Sequence, residues 1–152
     1  MKTILVGPTG FLGENFLRLR PDLISVGRRK PRNSGIKHIN ISSEFNFEIL
    51  DDLTFDYSIF LIGSSDHEVL RNNPSKAFEM NVIPLAKFFE YLASRENKPK
   101  KVITFTTMLQ YDTEKMNIPC NELQPIKPDT SNYVLSKVTA ENLSKLYRKY
   151  FQ

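Results

Sequence analysis

Apolar residues fall along this chain in short unbroken runs, separated by longer stretches in which they recur every three or four positions. That is the pattern of strands and helices taken in turn. Ile4-Leu5-Val6 opens the series and breaks into Gly7, Gly10 and Gly13, after which Phe16, Leu17 and Leu19 form one side of a helix that Pro21 ends. Leu23-Ile24-Ser25-Val26 predicts a second strand, the alternating run Ile36 to Ile41 a third, and Ser43 to Leu50 a short helix. Tyr57 to Gly63 is almost wholly apolar, as a parallel strand covered on both faces requires. Residues 74–96 read as one long amphipathic helix, with Pro84 expected to bend it. Lys101 to Thr107 gives a fifth strand, and 132–150 a last helix carrying Val134, Val138, Leu143, Leu146, Tyr147 and Tyr150. Lys145, Arg148 and Lys149 lie near its end, where cations suit the helix dipole.

Strands alternating with helices predict an α/β doubly wound parallel sheet (Rossmann-like) of five strands in the order 3-2-1-4-5, with helices on both faces and a ligand at the carboxyl edge. A chain of 152 residues is expected to form one domain over 1–152. Composition, at 40% hydrophobic and 25% charged, is that of a globular protein. No apolar run is long enough to span a bilayer, so no membrane partner is expected, and the immediate opening strand leaves no room for a secretory signal. The single cysteine, Cys120, excludes an internal disulfide and a cysteine-built metal site, and suits a cytoplasmic location. A net charge of +4 favours anionic ligands, yet no helix gathers the basic residues on one face, so nucleic acid is not expected. Asp51-Asp52 lacks a third ligand nearby and reads as a solvated loop, and His38 as an exposed strand residue. No metal is expected.

The glycines carry the first chemistry. Gly7 makes a turn, Gly10 admits a pyrophosphate, and Gly13 lets helix pack on strand; with Thr9, Phe11 and Leu12 they form a phosphate cradle at a helix N-terminus. Three glycines can also be only a turn. About 20 residues further on, where a ribose-binding acid often stands, this chain has Gly27 followed by Arg28 and Arg29. Paired guanidinium groups suit a 2′-phosphate, so NADP(H) is preferred over NAD(H). The competing reading is a solvated basic loop.

Two Tyr-x-x-x-Lys patterns occur, Tyr111 to Lys115 and Tyr133 to Lys137. The first runs into a loop with Pro119, Pro125 and Pro128; the second follows the capping residues Asp129-Thr130-Ser131-Asn132 and so begins a helix, where i,i+4 spacing puts both side chains on one face. A phenol of pKa about 10 is a poor base at neutral pH. A neighbouring ammonium favours its phenolate and makes Tyr133 a general base. A helix-surface pair without chemistry is the alternative.

The G-x-x-G-x-x-G spacing resembles the extended short-chain dehydrogenase/reductases, the family of NAD(P)-dependent nucleotide-sugar epimerases and dehydratases. So does the setting of Tyr133 and Lys137, with Glu122, Pro125 and Pro128 upstream and Ser136 and Glu141 downstream. Val134 departs from the family's usual glycine. The resemblance implies that Thr107 holds a substrate hydroxyl, that Lys137 also binds the nicotinamide ribose, and that Asn81 orders the ground behind the active site. It further implies that Asn40 and Ile41 lie beside the adenine and that Gly63 and Ser64 pass the dinucleotide. It implies a homodimer through helices 74–96 and 132–150, and a C-terminal substrate-binding region that this chain lacks. Met108-Leu109 replaces the acidic pair of the sugar dehydratases, which makes an epimerase or reductase acting on a nucleotide-sugar the expected class. The alternative is a non-catalytic dinucleotide-binding module or a degenerate, truncated relative.

Overall fold

The structure, a computed structural model, describes residues 1–32, 35–112, 114–115 and 119–150. Thr113, inside the Tyr111–Lys115 pattern, and Phe151 and Gln152, at the end of the expected domain, lie outside the described residues. The chain runs β1 (Thr3–Val6), α1 (Phe11–Leu19), β2 (Ile24–Gly27), β3 (His38–Asn40), β4 (Tyr57–Phe60), α2 (His67–Arg71), α3 (Pro74–Asn81), α4 (Ile83–Ser94), β5 (Lys101–Thr104) and α5 (Asn132–Tyr147). The sheet order is β3-β2-β1-β4-β5 and every pairing is parallel. This is the expected Rossmann-like sheet.

Alternation along β1 divides the core between the two faces of the sheet. Ile4 and Val6 join Val26, Phe60 and the α4 residues Leu85, Phe88 and Leu92 in one cluster, to which α5 adds Ala140. Leu5 joins Leu17 of α1, Leu23 and Ile36 in the other. The larger cluster is aromatic: Phe88 meets Phe47 edge-on with centroids 4.9 Å apart and stacks on Phe60 at 5.2 Å. On the α1 side of the outer strand the cover is thinner, and Ile103 of β5 is 41% exposed.

Several elements differ from expectation for identifiable reasons. The helix over 74–96 is two helices that part at Val82, where Pro84 becomes an early residue of α4 and its missing N–H costs no ladder bond. Only Glu48–Leu50 of the helix expected at Ser43–Leu50 forms, as a 3-10 turn. Phe45 sits at φ 58° and its N–H donates to Ser42 O at 3.1 Å, while the N–H of Glu48 donates to Asn46 Oδ1 at 2.9 Å. These local bonds divert the backbone from a helix. The helix over 132–150 ends at Tyr147 and tightens to a 3-10 turn over Arg148–Tyr150. Strand pairing in β3, β4 and β5 covers less than the apolar runs suggested: β3 leaves Ile36 and Lys37 ahead of the strand, while the remainders of the β4 and β5 runs follow their strands at the carboxyl edge. α2 was not expected, although Asp66 marks its start by accepting from the N–H groups of Glu68 and Val69.

His38 is not an exposed strand residue. It is half-buried with Nδ1 2.7 Å from Ser25 Oγ, and burial, aided by the charge of Lys30, holds its pKa below the ordinary histidine value.

Candidate functional site

The carboxyl ends of β1, β2 and β4 converge on a cavity of about 560 Å³. It brings together Gly7, Thr9, Gly10, Phe11, Leu12, Gly13, Arg28, Arg29 and Gly63. The three glycines have different physical reasons to be glycine. Gly7 has φ +91°, and a Cβ there would stand 2.8 Å from the Ile62 backbone nitrogen. At Gly13 a Cβ would fall 2.5 Å from Pro8 O and 2.6 Å from Gly7 O, so this residue lets α1 close on the turn. Gly10 is different, since a Cβ would meet no protein atom within 4 Å. It precedes α1 with no side-chain cap, leaving the first-turn N–H groups turned to open space. That space, at the positive end of α1, fits a phosphate.

Gly27 has its own constraint. A Cβ would lie 2.6 Å from Cδ of Pro8, so the proline of the glycine turn keeps the usual place of a ribose-binding acid empty of side chain. Arg28 and Arg29 follow and reach the cavity. Asn40 pairs with Gly27 in the β2–β3 ladder but does not line the cavity, and Ile41 is a core residue.

A second cavity, of about 150 Å³, adjoins the first and shares Leu61, Ile62, Gly63 and Ser65 with it. Ser64, Asn81, Thr106, Tyr133, Lys137 and Glu141 lie on its wall. α5 presents Tyr133 and Lys137 because its N-terminus is fixed twice. Ser131 Oγ accepts from the N–H of Val134 at 3.1 Å, and Asn132 Nδ2 donates to the end carbonyls of α2, Leu70 O at 3.0 Å and Arg71 O at 2.9 Å. Lys137 Nζ donates to Phe105 O at the end of β5, and burial pushes its ammonium below the ordinary lysine value. An anion beside it would favour the charged form again.

Asn81 joins the two sides of this cavity. Its Oδ1 accepts from the N–H of Ser64 at 2.6 Å, and its Nδ2 donates to Ser136 Oγ at 2.9 Å. Ser136 in turn donates to the carbonyl of Tyr133 at 2.7 Å. Asn81 is only 4% exposed, so Asn81→Ala leaves buried polar groups without partners. We expect it to lower unfolding free energy by about 2–3 kcal/mol in urea titration.

Thr107 is placed differently. Its Oγ1 accepts from the N–H of Leu109 at 3.3 Å and caps the 3-10 turn Met108–Gln110, while Thr106 lines the cavity. The rival pattern does not assemble as a pair: Tyr111 bridges to Ile126, and Lys115 Nζ lies 3.8 Å from Asp112 Oδ2. Phe45, Ser65 and Thr106 are cavity residues that the sequence did not mark. Ser65 and Thr106 adjoin marked residues, and Phe45 fell inside a helix that does not form. Among the described residues no three potential ligands gather to hold a metal ion, and no helix is long and apolar enough to cross a membrane.

Comparison with known proteins gives consistent results. A family model described as NAD dependent epimerase/dehydratase matches residues 3–152. No curated sequence matches the chain. Among solved structures, a UDP-galactose 4-epimerase superposes with TM-score 0.79 at 18% identity over 99% of this chain and 52% of its own. The UDP-N-acetylglucosamine 4-epimerase from Methanobrevibacter ruminantium M1, in complex with UDP-N-acetylmuramic acid, gives 0.78 at 20% over 99% and 51%. The L-threonine dehydrogenase of Clostridium difficile gives 0.79 at 19% over 99% and 50%. This chain therefore spans about half the length of these similar structures. The glycine turn, the five-stranded sheet and the family match over nearly all its residues agree: the chain belongs to the NAD-dependent epimerase/dehydratase family.

Proposed function

We propose that this chain is the cofactor-binding part of an NADP-dependent nucleotide-sugar epimerase or reductase. The observation that carries the reading is that the glycine-turn cavity, with open space at Gly10, and the cavity lined by Tyr133 and Lys137 are neighbours that share Leu61, Ile62 and Gly63 as walls. Gly7 to Gly13 hold the pyrophosphate, and Arg28 and Arg29 hold the 2′-phosphate. The bound cofactor supplies the hydride acceptor. Tyr133 removes the proton from the substrate hydroxyl, Lys137 lowers the cost of the phenolate and binds the nicotinamide ribose, and Thr107 holds the hydroxyl. Thr107 serves once its hydroxyl turns from the cap of the 3-10 turn. Asn81 fixes the dyad helix against the Gly63-Ser64 backbone.

Solved structures similar to this chain include enzymes whose names specify nucleotide-sugars, and that class is the proposed substrate. Leu135 and Leu146 stand exposed on α5, consistent with a homodimer through the α3, α4 and α5 helices. The lone exposed thiol of Cys120 suits a cytoplasmic location. A second reading, a non-catalytic dinucleotide-binding module, is favoured by Thr107, whose Oγ1 caps a 3-10 turn instead of lining the cavity beside Tyr133.

Calorimetric titration with NADPH and NADH tests the proposal. Tight NADPH uptake is expected, and no uptake of either dinucleotide overturns it. Replacing Arg28 and Arg29 together by Ala is expected to weaken NADPH by about 10- to 100-fold, the range of a lost charge-assisted hydrogen bond, and NADH by far less. Equal losses would sink the 2′-phosphate assignment.

A further inference from the structure

Phe45 belongs to two cavities at once. It lines the glycine-turn cavity and a neighbouring one of about 400 Å³ that Met80 and Ile83 help to wall. Its backbone is left-handed at φ 58°, a conformation that residues other than glycine rarely adopt. Two bonds hold the loop in it: the N–H of Phe45 donates to Ser42 O at 3.1 Å, and Lys87 Nζ donates to Glu44 O at 2.7 Å. Arg28 covers the ring, with its Cζ 5.1 Å from the centroid. Among the described residues this guanidinium has no hydrogen bond or ion pair, so the ring is its one specific contact.

A fixed aromatic face covered by a planar cation is a place where a flat heterocycle can stack, since both surfaces accept bases. We propose that Phe45 is the stacking wall for the adenine of the dinucleotide. The base takes the position of the Arg28 guanidinium on the ring, and the displaced Arg28 turns to the ribose 2′-phosphate. This rests on the dinucleotide reading above and extends it to a residue that receives the base. It also makes recognition of the base and of the 2′-phosphate interdependent, because one arginine serves either the ring or the phosphate.

The test is calorimetry of the full chain and of Phe45→Leu, Phe45→Tyr and Arg28→Ala with NADPH, adenosine 2′,5′-bisphosphate, adenosine 5′-monophosphate and inorganic pyrophosphate. Phe45→Leu is expected to weaken the bisphosphate about tenfold, the effect of losing a stacked base, and to leave pyrophosphate within about twofold. Phe45→Tyr keeps the aromatic face and is expected to stay within about threefold of wild type for the bisphosphate. Arg28→Ala uncovers the ring, so it is expected to weaken the bisphosphate while leaving the monophosphate as tight or tighter. Parallel losses of bisphosphate and pyrophosphate in Phe45→Leu, or of mono- and bisphosphate in Arg28→Ala, overturn the stacking role. If wild type takes up NADPH and Phe45→Leu takes it up equally, the stacking role alone falls; if wild type takes up none, the dinucleotide reading falls with it.

Discussion

Gly13→Ala is expected to lower the unfolding free energy by about 3 kcal/mol or more, while Gly10→Ala changes it by about 1 kcal/mol or less. The two positions lie three residues apart in one turn, and their neighbours decide the contrast. The added methyl at Gly13 would sit 2.5–2.6 Å from Pro8 O, Gly7 O and Pro8 C, all of them backbone atoms that cannot rotate away. Either α1 lifts from the turn, exposing Leu17 and loosening its cluster with Leu5, Leu23 and Ile36, or the turn itself opens. At Gly10 the methyl enters open space, and the only stability cost is a poorer residue at the head of α1. The methyl does, however, occupy the room assigned to the pyrophosphate. Urea unfolding with NADPH titration separates the two effects: Gly13→Ala should lose stability first, and Gly10→Ala should keep stability and lose binding. If Gly10→Ala binds NADPH as wild type does, the open space is not a phosphate site.

Under the function proposed above, Tyr133→Phe is expected to reduce nucleotide-sugar-dependent reduction of the nicotinamide, assayed with the substrate-binding region present, about a hundred- to ten-thousand-fold, with NADPH affinity within about twofold of wild type. The substitution keeps the ring in its half-buried place on the cavity wall and removes only the hydroxyl. Helix α5 should stay intact, because its cap at Ser131 and its ties through Asn132 and Ser136 do not use the phenol oxygen. Lys137→Met is expected to lower turnover and to weaken NADPH as well, since Lys137 is assigned both the phenolate and the ribose. Turnover of Tyr133→Phe equal to that of wild type would remove the acid–base assignment; an equal loss of cofactor affinity in both variants would make the pair a binding feature.

Much of this architecture was legible in the sequence because it depends on residues with few alternatives. Glycines at 7, 10 and 13 after an apolar run specify a strand, a turn and a helix, and the short apolar runs elsewhere specify buried parallel strands. The start of a helix just before Tyr133 was legible too, through the capping residues ahead of it. What was not legible depends on competition between local bonds and tertiary contacts. Pro84 announced a distortion but not its form, because the break at Val82 depends on how α3 and α4 each settle on the sheet. Phe45 carried no signal, since a phenylalanine in a left-handed turn looks, in sequence, like any apolar residue of an amphipathic helix. Thr106 and Thr107 are chemically alike, and which hydroxyl faces the cavity is set by the direction of the extended chain after β5.

Under the NADP reading proposed above, the closeness of Pro8 to Gly27 makes the expected route to altered cofactor preference depend on the order of substitution. An acid introduced at 27 to favour NADH must place its Cβ where the ring of Pro8 already lies, 2.6 Å away at Cδ. Gly27→Asp alone therefore strains the turn before it can reward any ribose hydroxyl, whereas the same change made after Pro8→Ala meets a vacated site. The two positions are expected to be epistatic: under the NADP reading proposed above, a library that varies position 27 alone would miss a change of cofactor choice that first requires a change at position 8, nineteen places earlier in the chain.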